Sequence, residues 1–200
     1  MNTLSKLVIA SANAGKIREL QSSLKELDIT VIPQEELNIP DIEETGLSFV
    51  ENSILKARNA SALSGLPAIA DDSGLEVDFL RGAPGIYSAR FSGENATDAL
   101  NREKLLSLLA DVPAAERSAR YQTVIVFMRH STDPTPIICQ GTWEGQISTE
   151  ERGSNGFGYD SIFFLPDRNC QAAELDNNTK QKLSHRGKAM SAFLQQLRAS

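Results

Sequence analysis

Two acidic stretches could hold a metal ion or move a proton. Asp71-Asp72-Ser73-Gly74 follows the apolar run at 68–70. One of two adjacent aspartates at a strand end must point toward the sheet, where a buried carboxylate needs a partner. The second stretch is Asp41-Ile42-Glu43-Glu44-Thr45-Gly46. Carboxylates at strand ends beside turns suit Mg2+, a hard cation that takes oxygen ligands and keeps several waters. A carboxylate facing a water can also serve as general base. The 41–44 stretch reads equally well as a solvated acidic loop.

Cationic loops complement these acids. Ser11-Ala12-Asn13-Ala14-Gly15-Lys16 lies between an apolar run and a helical pattern. Small residues allow close backbone approach, and a helix N-terminus offers N–H groups and a positive dipole end to a phosphate. The spacing is not that of a GxxxxGK[ST] loop, because Ile17 stands at the hydroxyl position, which disfavours a P-loop kinase or GTPase. A plain strand-to-helix turn capped by Asn13 is the competing reading. A second cationic group runs from Lys180 to Ser184-His185-Arg186-Gly187-Lys188 at the start of the last helix. Asn52 and Lys56, four residues apart on a helical pattern, share a face. Lys56 could reach a phosphate or an acidic neighbour. The loop Gly153-Ser154-Asn155-Gly156-Phe157-Gly158-Tyr159-Asp160 offers aromatic faces on which a base could stack. Phe157 and Tyr159 read equally as core residues. His130 has no local partner and reads as a surface or structural residue.

The elements that position these loops alternate between strand and helix. Strands are expected at 7–10, 29–33, 68–70, 120–128, 137–147 and 162–165. The long runs 120–128 and 137–147 are expected to pair across the turn at 131–136. Helices are expected at 16–27, at 49–64 with Ser48 as N-cap, at 97–109 and at 185–197 with Ser184 as N-cap. Ile54, Leu55 and Ala62 are the expected buried positions of the second helix. Residues 34–45 and the Asp71–Gly74 tetrapeptide are expected as loops. The pattern implies an α/β sandwich of a sheet with helices on its faces.

Composition agrees. The 200 residues carry 40% apolar and 23% charged side chains, ordinary for a globular chain with a sizeable core. Net charge is −6, which argues against a nucleic-acid polymer as partner, since that calls for a basic stripe. No run is long enough to cross a bilayer and no secretion signal is visible, so a cytoplasmic protein is expected. Cys139 and Cys170 form no CxxC pair and read as free thiols.

Taken in order, the segments SANAGKIREL, EETGLSFVENSILKA, IADDSGLEVDFLRGAPGIYSARFSGE, RYQTVIVF, GFGYDSIFF and SHRGKA resemble the inosine triphosphate pyrophosphatase family, in its bacterial RdgB-like branch. The resemblance covers essentially the whole chain. It implies one domain over 1–200, an elongated mixed sheet flanked by helices, with two lobes and a central substrate cleft. It implies a Mg2+-dependent homodimer that hydrolyses deaminated purine nucleoside triphosphates (ITP, dITP, XTP, dXTP) to the monophosphate and pyrophosphate, cleansing the nucleotide pool.

Carried onto this sequence, the family pattern implies phosphate contacts from Ser11, Ala12, Asn13, Ala14, Gly15 and Lys16. It implies metal ligation by Glu44 and Asp72, with Asp72 also catalytic, and substrate contacts from Lys56 and Ser73. It implies base recognition through Phe157, Gly158, Tyr159 and Asp160, and late contacts from Lys180, His185 and Arg186. The pattern departs at Ala12, where glycine is common, and at Ser161, where proline is usual. A donor such as Arg186 or a backbone N–H would pair with the C6 keto oxygen of hypoxanthine or xanthine. Against adenine the same donor would stay unpaired, at a cost of roughly 1–3 kcal/mol. The competing functions are a Maf-like nucleotide pyrophosphatase and a nucleotide-binding module without turnover.

Overall fold

A computed structural model of the chain describes residues 4–25 and 27–199. Its sheet has seven strands: β1 (Lys6–Ile9), β2 (Thr30–Pro33), β3 (Ala68–Val77), β4 (Ser118–Met128), β5 (Ile137–Ile147), β6 (Phe163–Leu165) and β7 (Cys170–Gln171). The spatial order is β2-β1-β3-β4-β5-β6-β7. β1 lies parallel to β2 and β3, whereas β6 lies antiparallel to β5 and β7, so the sheet is mixed. Parallel neighbours need crossover connections. These are α1 (Ala14–Leu24) and α2 (Phe49–Ser64). α3 (Asp98–Leu108), α4 (Asn177–Leu183) and α5 (His185–Ala199) follow. No helix of the described residues is long and apolar enough to cross a membrane.

The chain forms two compact units. The first holds residues 1–72, 123–141 and 186–200, and the second holds 73–122 and 142–185. In the first unit the strands are apolar on both faces, as parallel strands covered on both sides must be. Leu7, Ile9, Ile69, Ile125 and Phe127 pack with Leu20 and Leu24 of α1 and with Ala189, Met190 and Phe193 of α5. The alternate residues Val8, Ala10, Ala68, Ala70, Val124, Val126 and Met128 pack with Ala57 and Ala60 of α2. The helices α1 and α5 therefore cover one face and α2 the other. The second unit has its own apolar cluster. It joins Leu75, Val77, Leu105, Leu109, Tyr121, Trp143 and Phe163, among others. Arg117, also buried there, donates to the carbonyls of Val112 and Leu109 behind the C-terminus of α3.

Several expectations change in detail. The first helix begins at Ala14, because the Asn13 side chain accepts from the Gly15 and Lys16 N–H groups and starts the helix early. It ends at Leu24, short of the expected 27. Part of the expected 34–45 loop is a 3-10 turn, Gln34–Leu37, closed by Asn38 at φ 52°. On α2 the buried residues are Asn52, Ser53, Ala57, Ala60 and Ser61. Ile54 and Leu55 are half-buried and Ala62 is exposed. Small side chains face Ala68 and Ala70, so the helix settles on the sheet through Ala and Ser, and Ser53 donates to the Val124 carbonyl at 2.8 Å.

The Asp71–Gly74 tetrapeptide is not a turn: β3 runs through it to Val77. Gly74 permits this, since a Cβ there would lie 2.1 Å from the Gly85 carbonyl oxygen. The short elements β7 and α4 carry no clear sequence pattern. Ser184, expected as the N-cap of α5, stands extended between α4 and α5 and closes α4, its N–H donating to the Lys180 carbonyl at 2.9 Å.

Because Phe193 is fully buried against Phe127, Phe193→Ala is expected to cost about 3–5 kcal/mol. Urea unfolding checks this, and a loss below about 1 kcal/mol would show that α5 is not anchored through this ring.

Candidate active site

The first unit gathers most of the expected phosphate and metal residues. β3 delivers Asp71 and Asp72 side by side, and the pleat sends them to opposite faces. Asp71 is 1% exposed. Its Oδ2 accepts from Arg186 Nε at 3.2 Å and Nη2 at 3.0 Å, with Lys16 Nζ at 3.3 Å. Arg186 also donates to Glu19 of α1 through Nη1. Burial alone would push the Asp71 carboxyl up. Arg186, Lys16 and Lys56 outweigh it and hold the group well below the usual carboxylate range.

Asp72 has different company. Oδ1 accepts from Lys56 Nζ at 3.0 Å and Oδ2 from Asn52 Nδ2 at 3.2 Å. The same Lys56 Nζ donates to Glu44 Oε1 at 2.8 Å. Glu44 and Asp72, far apart in sequence, therefore meet at one ammonium. Burial, aided by Glu44, raises the Asp72 carboxyl above its ordinary value although Lys56 and Lys16 oppose it. Burial would lower Lys56, but Asp72, Asp71 and Glu44 keep it raised. Lys16 goes the other way. Burial lowers it, repulsion from Lys56 and Arg186 adds to the fall, and Asp71 and Asp72 only partly restore it. Of the cations here, Lys16 has the most to gain from an incoming anion.

The loop before Lys16 is arranged by its own side chains. Asn13 caps α1, and the Asn13 N–H donates to Ser11 Oγ at 3.2 Å. Ser11 and Gly15 are buried, whereas Ala12, Asn13 and Ala14 are exposed. The capping reading of Asn13 is thus realised.

A fit test for a divalent cation rests on the donor set. No group of three or more His, Cys, Asp or Glu side chains that could hold a metal occurs among the described residues. Glu44 and Asp72 supply two carboxylates within reach of one point. Mg2+ is commonly bound by one or two carboxylates with substrate phosphates and waters completing the octahedron. The pair fits that mode and does not fit an all-protein cage.

The second unit gathers the rest. Asp160 Oδ2 accepts from the Phe157 N–H at 2.9 Å and from Lys180 Nζ at 2.6 Å. Lys180 Nζ also lies 4.9 Å from the centroid of the Phe157 ring, within cation–π range. Gly156 has φ +80°, and a Cβ there would strike Asp160 Oδ2 at 2.0 Å, so only glycine allows this turn. Phe157 and Gly158 are half-buried. Tyr159 is a core residue: it is 4% exposed, and its hydroxyl donates to the Ser88 carbonyl at 2.8 Å. His185 is buried and stacks on Tyr121, with ring centroids 4.7 Å apart. Ser73 is half-buried on β3.

Sequence reasoning passed over Glu19, Tyr121 and Thr123, whose hydroxyl lies 3.4 Å from Asp71 Oδ2. Glu19 carried a usable signal, standing three residues after Lys16 on one helix. His130 is exposed, and it does have a local partner, its Nδ1 lying 3.1 Å from the Thr132 hydroxyl.

The two aspartates should respond oppositely to neutralisation. The Asp71 carboxyl lies below its unfolded value in the fold. Its contribution to stability is therefore complete above the ordinary range around 3.8 and is lost as pH falls below it. Asp72 is raised, so its ionised form weakens the fold at neutral pH. At pH 7, Asp71→Asn is expected to lose about 3–5 kcal/mol, because it strands buried cations, while Asp72→Asn keeps or raises the melting temperature. Calorimetry of both variants checks this, and equal losses would contradict it.

The Ham1 family profile matches residues 7–196. The dITP/XTP pyrophosphatase of Vibrio parahaemolyticus is 56% identical over 98% of this chain and 98% of its own length. That of Salmonella typhimurium is 56% identical over 98% and 99%. Among solved structures, a HAM1 protein from Coxiella burnetii superposes with a TM-score of 0.91 at 48% identity, covering 98% of this chain and 100% of that one. The Ham1 protein of Staphylococcus aureus gives 0.86 at 40% identity, covering 98% and 99%. With a match that spans the sheet, the helices and both residue clusters, the chain belongs to the Ham1 family.

Proposed function

We propose that this protein is a nucleoside-triphosphate pyrophosphohydrolase. It would convert deaminated purine nucleotides, dITP and XTP among them, to the monophosphate and pyrophosphate. The observation that carries the reading is the meeting of Glu44 and Asp72 at Lys56, beside a Lys16 short of charge compensation. The relatives named dITP/XTP pyrophosphatase support the substrate class. The reading includes Mg2+, a homodimer and a place in the cytoplasm.

A triphosphate entering an acidic protein needs local cations. A like charge at 4 Å costs about 4 kcal/mol at an effective dielectric of 20. Lys16 and Lys56, together with the loop of Ser11, Ala12, Asn13, Ala14 and Gly15 at the start of α1, would hold the phosphate chain. Glu44 and Asp72 would hold the divalent ion, which when bound neutralises charge on the departing pyrophosphate. Asp72 would accept the proton of the water that attacks the α-phosphorus, and its raised affinity for a proton suits that task. Asp71 is unsuited to this role, because its cations keep it ionised and occupied. Arg186 sits with Asp71 and Glu19, which favours an electrostatic role near phosphate over hydrogen bonding to a base. Phe157 would offer a ring and Lys180 and His185 polar side chains of the kind that read a base, on a loop whose shape is set by Gly158 and Asp160. Tyr159 would contribute by shaping the loop, and Ser73 by a contact from β3.

The test is turnover of dITP, XTP, GTP and ATP with the product identified. Pyrophosphate release from dITP and XTP well above that from ATP is expected, with loss of activity in EDTA and recovery in Mg2+. Orthophosphate as product would contradict the reading. Asp72→Asn is expected to lower kcat by about 10²–10⁴. For the wild type, kcat/KM is expected to fall on acidification through a pKa above the ordinary 3.8 of an aspartate; a rate flat through that limb would remove Asp72 as the base.

A further inference from the structure

The 157–160 loop is gripped on its inner side by Asp160, which holds the Phe157 N–H and Lys180. A second grip comes from α3. Asp98 and Arg102 are four residues apart and share a face of that helix. The Gly158 N–H donates to Asp98 Oδ2 at 2.7 Å, and the Gly158 carbonyl accepts from Arg102 Nη1 at 2.9 Å. Both polar groups of one glycine are therefore taken by charged side chains, whose hydrogen bonds are stronger than neutral ones. Arg102 Nε also donates to Glu151 Oε2 at 2.9 Å, and that oxygen accepts from Ser161 Oγ at 2.8 Å. The chain is thus tied on either side of Tyr159 and Asp160, at Gly158 directly to Asp98 and Arg102 and at Ser161 to Arg102 through Glu151.

The helix that provides the grip is itself fixed. Leu105 lies in the apolar cluster. The buried Asn101 accepts from the Ser92 N–H at 2.7 Å and donates to the carbonyls of Ser88 and Ala89. Tyr159 donates to that same Ser88 carbonyl. Thr97 caps α3 through the Leu100 N–H, so the start of the helix does not depend on the Asp98 carboxylate as its cap. Asp98 is exposed and fills no core position.

We propose that Asp98 and Arg102 are positioning residues for base recognition, holding the Gly158 peptide in the one conformation that presents the 157–160 loop to a purine. The proposal rests on the base-reading role given to that loop above. Gly158 stands at φ +64°, and an unheld glycine samples several backbone regions at little cost. When only a fraction of molecules carries the competent loop, apparent affinity falls by that fraction. The effect belongs in KM for the nucleotide. Neither kcat nor binding of pyrophosphate, which lacks a base, should follow it.

The experiment compares Asp98→Ala with Asp98→Asn. Both remove the same charge from the first turn of α3, and only Asn keeps an oxygen that can accept from Gly158. Asp98→Ala is expected to raise KM for dITP about tenfold, with kcat and the inhibition constant of pyrophosphate changed by less than about twofold. Asp98→Asn is expected to stay within about threefold of wild type in KM. Equal KM values for the two variants, or a pyrophosphate constant that moves with KM, would overturn the grip. A third variant, Phe157→Ala, separates the levels of the argument. If it raises KM for dITP while Asp98→Ala does not, the grip is wrong and the base-reading loop stands. If Phe157→Ala leaves KM unchanged, the loop does not read the base and the proposal falls with it.

Discussion

A carboxylate buried to 1% exposure organises the first unit. Asp71 cannot be ionised there without compensation, because burying an unpaired charge costs far more than a fold of this size can lose. Its Oδ2 draws in Arg186 from α5 and Lys16 from α1. Arg186 in turn engages Glu19. One charge on a central strand therefore ties together the two helices that cover one face of the sheet. Lys16 and Arg186 are also cations of the kind that the proposed phosphate site would need.

The neighbouring position shows how the pleat divides labour. Asp72 comes from the next residue of the same strand and meets Lys56 and Asn52 of α2. Its carboxyl is raised where that of Asp71 is depressed. Two adjacent, identical side chains thus carry opposite proton affinities, set by which helix each one faces. That contrast is the physical reason to give the proton-transfer role to Asp72 and the structural role to Asp71.

Much of this was legible in the sequence, though unevenly. Helix α2 was readable to its ends, because Ser48 and Gly65 are strong local signals at its two boundaries. Its buried face was not, because Ala and Ser pack there where Ile and Leu were expected. The strand through Asp71 and Asp72 was hidden for a related reason. Paired aspartates read as a turn until the cations that neutralise them are placed, and those lie at 16, 56 and 186. The meeting of Glu44 and Asp72 was anticipated around a divalent ion, and the Lys56 ammonium found between them realises one of the two partners the sequence left open for that lysine. Tyr159 illustrates an ambiguity that spacing cannot resolve. An aromatic beside a strand suits a base or a core, and here the hydroxyl bond to Ser88 and the burial place it in the core. The grip of α3 on Gly158 was invisible, since it uses backbone groups more than fifty residues away.

The central claim is that Glu44 and Asp72 form a two-carboxylate site completed by the phosphates of a bound nucleotide. Binding of Mn2+ in the presence of a non-hydrolysable purine triphosphate, followed by electron paramagnetic resonance, tests it most directly. The account predicts tight binding to the wild type, at least about tenfold weaker binding to Glu44→Gln, and no change in Asp41→Asn, whose carboxylate lies in the same acidic stretch but faces Gln34. Equal Mn2+ affinity in the wild type and Glu44→Gln would contradict it.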